Sequence, residues 1–479
     1  MKRWQDPSWV EEMRLELDVN LMMTPPLASA AGIAAADLER LAPRLADIQQ
    51  ELEDDREQGR IPFLTTPYQP ALVQEIKQYV RGVKGWVENF VVLGSGGSAR
   101  GAQALQAALN HPYYNLLSRT MRKGFPRLFV ADAIDPDGFN ALLELVDLRK
   151  TLFNLVGNSG NSAENMSQYL IVRDLLKRRG GNRKEGEHLV IITDPETGNL
   201  RKITRAEGAT VFEIPTLPGG RFSMLSAAGL LPAAMVGVDI EEFLAGAREM
   251  DRRCREKNLW KNPAALGAAL AFLSCREKNK SLRAFRPYVE ALSGIGDWFA
   301  QWWAESLGGF AKNPSRPIGT AQQPDFAPGA NGAYFRRPQA PEGATDRLLT
   351  FVGVKVGAGN LAIPPAVPAF AAIDPGGGHT LNEWLLSAMR ATRLALARQG
   401  RASLLITLPR LNPFTVGQLL YLLELENCLC IRLLEINPAH RPGDEAEKNL
   451  AGALLGRPGY EDHLQGWEPF LNGNPRFVL

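Results

Sequence analysis

From about residue 80 onward, short apolar runs that end in small residues alternate with amphipathic helical stretches. This alternation constrains the fold more than any other feature. The runs at 89–93, 127–131, 152–156, 189–192 and 210–214 are apolar at successive positions, as strands buried on both faces are. Strands that alternate with helices build a parallel sheet covered by helices, because a parallel pair needs a crossover long enough to hold one. A second series is expected, with strands at 284–288, 347–354, 402–408 and 429–435 and helices at 297–307, 379–399 and 415–426. A helical stretch, 226–274, separates the two series. The first 60 residues read as a helical arm, with its main helix over 37–58. Segments 308–344 and 357–378 are rich in Gly, Pro or Asn and read as long irregular loops, which are often functional.

Composition narrows the function. The 479 residues carry 54 Lys+Arg and 52 Asp+Glu, a formal charge of +2. A general nucleic-acid or membrane-surface binder needs a positive field, so neither partner is expected. The chain is 45% hydrophobic and 22% charged, too apolar for disorder. The N-terminus has no apolar signal core. The most apolar stretch, 224–240, contains Pro232 and Asp239 and falls short of a membrane span. The four cysteines lack zinc spacing and read as reduced structural thiols of a cytoplasmic protein. Cys428 and Cys430 are expected on one face of a strand.

Five segments bear chemistry. VVLGSGGSARG (91–101) is a strand, a glycine turn and a helix start. Gly97 lets a ligand approach the backbone, helix N–H groups carry partial positive charge, and Ser98 adds a hydroxyl. FNLVGNSGNSAENM (153–166) repeats that geometry with Asn158, Ser159, Asn161 and Ser162, the last also an apt N-cap. Met166, Tyr169, Leu170 and Leu176 would pack its helix on the sheet. Two such turns after neighbouring parallel strands would converge where open α/β folds bind ligands, and a compact oxyanion such as phosphate suits them. Neither completes a dinucleotide fingerprint. LPGGRFSMLS (217–226) holds Arg221 between glycines and an apolar helix, placed to stabilise negative charge or to sit at the surface. DWFAQWWAESLG (297–308) carries Glu305 on an aromatic helix, where apolar walls would favour a general base; a surface glutamate is the plainer alternative. EINPAHRPGDEAEKN (435–449) runs through a Pro-Gly turn to a charged helix with Lys448, which reaches a site or lies on a solvated face.

In this order the five segments resemble the glucose-6-phosphate isomerase family over about three quarters of the chain, from Val91 to Lys448. GGRFSMLSAAGLLPAAMVGVDI (219–240) is the most specific stretch. The resemblance implies two sugar-isomerase (SIS-type) αβα sandwich domains with mainly parallel sheets, a helical N-terminal arm and a C-terminal tail. It divides the chain at 1–60, 61–260, 261–440 and 441–479. It implies a homodimer that interconverts glucose 6-phosphate and fructose 6-phosphate through a cis-enediol(ate), without metal or organic cofactor. Glu305 would be the base, Arg221 the oxyanion stabiliser and Lys448 the ring-opening lysine. Gly97, Ser98, Asn158, Ser159, Asn161, Ser162 and Arg441 would hold the sugar phosphate.

The chain departs from the family pattern on the ligand side. Gly157, Asn158, Asn161 and Asn165 stand where the second turn usually has Ser, Lys, Thr and Thr. Gly309 occupies the place of a lysine. Asp325-Phe-Ala-Pro328 matches a loop that elsewhere carries a histidine, and none of His111, His188, His379, His440 and His463 lies there. His440 and Arg441 replace Asp-Gln. Arg441 is placed to restore charge lost at Asn158, and His440 to substitute for the absent histidine. The same isomerisation of another anionic sugar and a non-catalytic sugar-phosphate binder are the alternatives these changes leave open.

Overall fold

A computed structural model describes residues 2–94, 96–157, 160, 162–179, 181–196, 198–214, 223–280, 282–307, 346–365, 377–436 and 444–471. The N-terminal arm holds helix α1 (Pro7–Glu12), strand β1 (Glu16–Asp18) and helix α2 (Ala35–Glu57), then α3 (Pro70–Val83). The first alternating series is β2 (Asn89–Leu93), α4 (Gly97–Leu109), β3 (Arg127–Ala131), α5 (Pro136–Leu145), β4 (Thr151–Val156), α6 (Ala163–Arg179), β5 (Leu189–Thr193), α7 (Asn199–Glu207) and β6 (Thr210–Glu213). Helices α8 (Ala227–Met235), α9 (Ile240–Cys254) and α10 (Pro263–Glu277) lead to β7 (Leu282–Pro287), α11 (Ser293–Leu307), β8 (Arg347–Val356), α12 (Leu381–Arg398), β9 (Ser403–Arg410) and α13 (Pro413–Leu433). Helix α14 (Asp444–Leu454) follows.

The first series forms a five-stranded parallel sheet in the order β3-β2-β4-β5-β6. Its three central strands, β2, β4 and β5, are buried at every position because both faces are covered, while the edge strands β3 and β6 are only partly buried. In β4, Leu152 and Val156 join the large core while Phe153 and Leu155 join a second cluster with Tyr169, Val172 and Leu176 of α6. Leu170, expected to pack there, is exposed. The second sheet runs β1-β9-β8-β7, with β7, β8 and β9 parallel. The N-terminal arm is helical as expected and also adds β1 antiparallel to β9, with Leu17 opposite Ile406.

One expected strand is a helix. Residues 429–435 belong to the end of α13 and its cap, not to a fourth parallel strand. Cys428 and Cys430 therefore diverge around a helix instead of sharing a face. The cysteines are free, and burial pushes the Cys254 and Cys428 thiols up to about 12, which suits inert packing groups. Among the described residues, α13 is the one helix long and apolar enough to cross a membrane, and its apolar window is wholly buried in the fold.

Helix α13 buries charge as well. Arg283 of β7 donates to both Glu426 oxygens at 2.7 and 3.2 Å and to Thr350 at 3.2 Å, with its guanidinium 4.6 Å from the Trp303 ring. Breaking such a pair strands a charge, whereas removing both ends does not. Arg283→Met alone should cost about 3–5 kcal/mol in urea denaturation, and Arg283→Met with Glu426→Leu should recover most of it.

Glu424 is fully buried and neither oxygen has a hydrogen-bond partner. Burial pushes its carboxyl well above the usual carboxylate range, so the folded protein holds it neutral. The unfolded chain releases that proton above its ordinary value of 4.5, so the group's contribution to stability is fullest below that pH and is lost as pH rises toward the folded value. Glu424→Gln removes this dependence. Its advantage over the parent in urea denaturation should widen from about pH 5 to about pH 8.

Candidate active site

Strands β2 and β4 are neighbours in register, with Leu93 opposite Leu155, so the chain leaves both at the same carboxyl edge of the sheet. After β2 the Gly94 N–H donates to Ala131 O at 3.4 Å, and Gly96 turns the chain at φ +70° into α4, whose first turn holds Gly97 and Ser98. The first N–H groups of a helix have no partner within it, and here they face the sheet edge.

Helix α11 runs antiparallel along α4. A Cβ at Gly294 would lie 3.0 Å from Ala104 Cα, one at Gly97 would lie 3.9 Å from Trp298 Nε1, and one at Gly96 would lie 3.5 Å from Gln301 Nε2. Successive turns of α11 thus pass α4 in reverse order and end at the glycine turn. Gln301 Nε2 donates to Glu305 Oε1 at 2.8 Å, which fixes the carboxylate one turn beyond. Trp298 and Trp302 stack at 5.3 Å along the same stripe as Gln301, buried between α11 and its neighbours, while Phe299 and Trp303 point toward β7. Glu305, at the end of that stripe, is exposed and hydrogen-bonded, not set between apolar walls as its aromatic neighbours suggested.

At the second turn the Gly157 N–H donates to Ile192 O at 3.0 Å. Gly160 adopts φ +69°, and a Cβ there would come within 2.8 Å of the Leu200 backbone nitrogen, so only glycine fits. Ser162 caps α6 as expected: its Oγ accepts from the Asn165 N–H at 3.4 Å and donates to Glu164. Asn165 turns inward and donates from Nδ2 to Val156 O at 3.1 Å, tying the helix start to the end of β4. That tie gives the departure at Asn165 a structural use. The Ser162 hydroxyl holds the Glu164 carboxyl below the usual carboxylate range, aided by the Glu164 backbone N–H and by the charge of Lys448. Lys448, exposed on α14, is thereby placed in the electrostatic reach of the second turn.

The described residues thus place Glu305 beside the first turn and Lys448 within electrostatic reach of Glu164 after the second, and neighbouring β2 and β4 lead to the two turns at the same sheet edge. Asn158, Ser159, Asn161, Arg221, His440 and Arg441 lie outside the described residues, as do Gly309 and residues 325–328. The segment that carries Arg221 is framed by Ile214, whose N–H donates to Thr193 O at 3.0 Å, and by Met224, which packs on Gly101 of α4. Sequence reading overlooked Gln301 and Glu164. The first sits four residues before Glu305, the spacing at which helix side chains meet, and the second lies in the first turn of α6, where a carboxylate is favoured.

A family model described as phosphoglucose isomerase matches residues 72–322. A glucose-6-phosphate isomerase of Carboxydothermus hydrogenoformans is 39% identical over 468 residues, covering 98% of this chain and 100% of that protein. One from Rubrobacter xylanophilus is 34% identical over 90% of this chain and 96% of its own length. Among solved structures, a hypothetical protein from Thermus thermophilus superposes with a TM-score of 0.80 at 31% identity, covering 92% of this chain and 100% of that one. A glucose-6-phosphate isomerase from Chlamydia trachomatis shares the fold with a TM-score of 0.67 at 21% identity, over 83% of this chain and 76% of that one. With matches that span nearly its whole length, the chain belongs to the phosphoglucose isomerase family.

Proposed function

We infer that this protein is an aldose–ketose isomerase that interconverts glucose 6-phosphate and fructose 6-phosphate, serving glycolysis and gluconeogenesis. The observation that carries the reading is the Glu305 carboxylate, held by Gln301 one turn past the glycine turn that opens α4. An isomerase of this kind needs one base that can reach both C1 and C2, next to donors that hold the phosphate at a fixed distance. Glu305 takes the proton from C2 of the open aldose and returns it to C1. Negative charge then appears on the substrate oxygens, and Arg221 meets it with a guanidinium. Lys448 serves ring opening. The phosphate is held by Ser98, Ser159 and Ser162 with the N–H of Gly97, and Asn158, Asn161 and Arg441 complete its cradle. The working form is a cytoplasmic homodimer with two sugar-isomerase domains, 61–260 and 261–440, between an N-terminal arm (1–60) and a C-terminal helix and tail (441–479).

The second turn supports one further reading. Asn158 stands where the family carries lysine, so the anion loses a fixed charge, and another anionic sugar is the substrate to try next.

A coupled assay of fructose 6-phosphate conversion tests the base. Glu305→Gln should lower turnover by at least about 10²–10⁴-fold while fructose 6-phosphate still raises the melting temperature. Retained turnover would remove Glu305 from that role. Gly160→Ala tests the cradle: forced out of φ +69°, the second turn should move, and KM should rise more than kcat falls. An unchanged KM would detach this turn from substrate binding.

A further inference from the structure

A cavity of about 370 Å³ opens between α2, α9 and α13 and shares no lining residue with the candidate active site. Its floor is apolar, built from buried Leu52, Leu64, Leu425 and Leu429. One wall is an ion network around Asp251, which is fully buried. Arg56 donates to both Asp251 oxygens at 2.7 and 3.1 Å, the Tyr68 hydroxyl donates at 2.7 Å, Tyr421 donates as well, and Arg255 lies at 3.2 Å. The Asp251 charge is therefore matched before any ligand arrives. Glu53 faces Arg56 at 3.5 Å and Arg255 at 3.7 Å.

Outside the ion network, where Arg56 Nε also lacks a hydrogen-bond partner, two groups of the lining stay uncommitted. Lys257 is exposed and makes no ion pair among the described residues. The Gln49 side-chain nitrogen is buried and has no acceptor. Charged lining residues are Arg56, Arg255 and Lys257 against Glu53 and Asp251, so three cations face two anions and the balance is +1. A dianion would be under-matched and would meet two carboxylates. A neutral apolar ligand would leave the buried Gln49 donor without a partner, which is costly. A single carboxylate on an apolar body satisfies both groups, with its oxygens toward Lys257 and Gln49 and its body on the leucine floor. The cavity volume falls in the range of small-molecule sites.

We propose that this cavity is a second ligand site, for a small monocarboxylate with an apolar body. The proposal does not rest on the isomerase reading. Calorimetric titration of the full-length protein with 1-naphthoate as probe tests it. Binding of one molecule per chain is expected, with Kd on the order of 0.1–1 mM, and fructose 6-phosphate should not displace it. Naphthalenemethanol, which lacks the charge, should bind about tenfold more weakly. Lys257→Glu should weaken naphthoate at least about tenfold, and Ala46→Trp, which fills the cavity from an exposed position, should abolish binding. Both changes lie on the surface and should leave isomerase turnover unchanged. No binding up to about 5 mM, displacement by fructose 6-phosphate, or full affinity in either variant would overturn the proposal.

Discussion

The close contact between α4 and α11 is what brings the candidate site together. Helix α4 follows β2 and opens at the glycine turn, while α11 follows β7 and belongs to the other sheet's series. Small residues let the two backbones approach, with Gly97 and Ala104 on one helix meeting the Trp298 edge and Gly294 on the other. The opposite face of α11 is anchored by packing: Phe299 lies 5.1 Å from Phe285 of β7, and the Arg283 guanidinium covers Trp303. Each buried aromatic side chain is worth about 1.5–3 kcal/mol or more, against about 1 kcal/mol for a hydrogen bond such as Gln301 to Glu305. Core packing therefore sets where the carboxylate stands, and the hydrogen bond only aims it.

This division explains what could be read from the chain. The central strands of the first sheet were legible because runs buried on both faces carry no competing pattern, and the partly exposed edge strands β3 and β6 because they keep a short apolar run between helices. The two turns were legible because parallel strands deliver their loops to one edge, whatever the loops contain. Strand β1 was missed because three residues, Glu16–Asp18, carry no period of their own and become a strand only by pairing with β9. The end of α13 was misread because a leucine-rich run buried on every side looks alike as helix or strand. Polar groups lie just upstream, largely in the part of the helix that was read correctly: Gln418, Tyr421, Glu424 and Asn427, three residues apart, drift gradually around its surface.

Those polar groups also show how a wholly buried helix is kept in register. Gln418 donates to Met13 O at 2.8 Å and accepts from the Leu15 N–H at 3.2 Å, so it stitches the N-terminal arm to the core. Tyr421 reaches Asp251 of α9, and Glu426 reaches Arg283 of β7. Each bond runs to a different element. Leucine contacts alone tolerate sliding by a turn, whereas these directional partners do not. Burying the charged members gains little net stability, so their use is better sought in specificity of packing than in strength.

At the second turn the proposed chemistry meets the departures from the family. Ser162 is engaged, its hydroxyl donating to Glu164 and its oxygen accepting from the Asn165 N–H. A phosphate in the proposed cradle would have to draw that proton away from a carboxylate of like charge. At about 4 Å two unit charges near a protein surface interact by about 4 kcal/mol, too large a repulsion to leave unmatched. Lys448 already acts on Glu164 from α14. In the proposed mechanism it therefore has two tasks: it offsets Glu164 so that Ser162 can turn to the phosphate, and it assists ring opening. With asparagine at 158 in place of the family's lysine, the positive charge of this corner would come in the proposed cradle from Lys448 and Arg441.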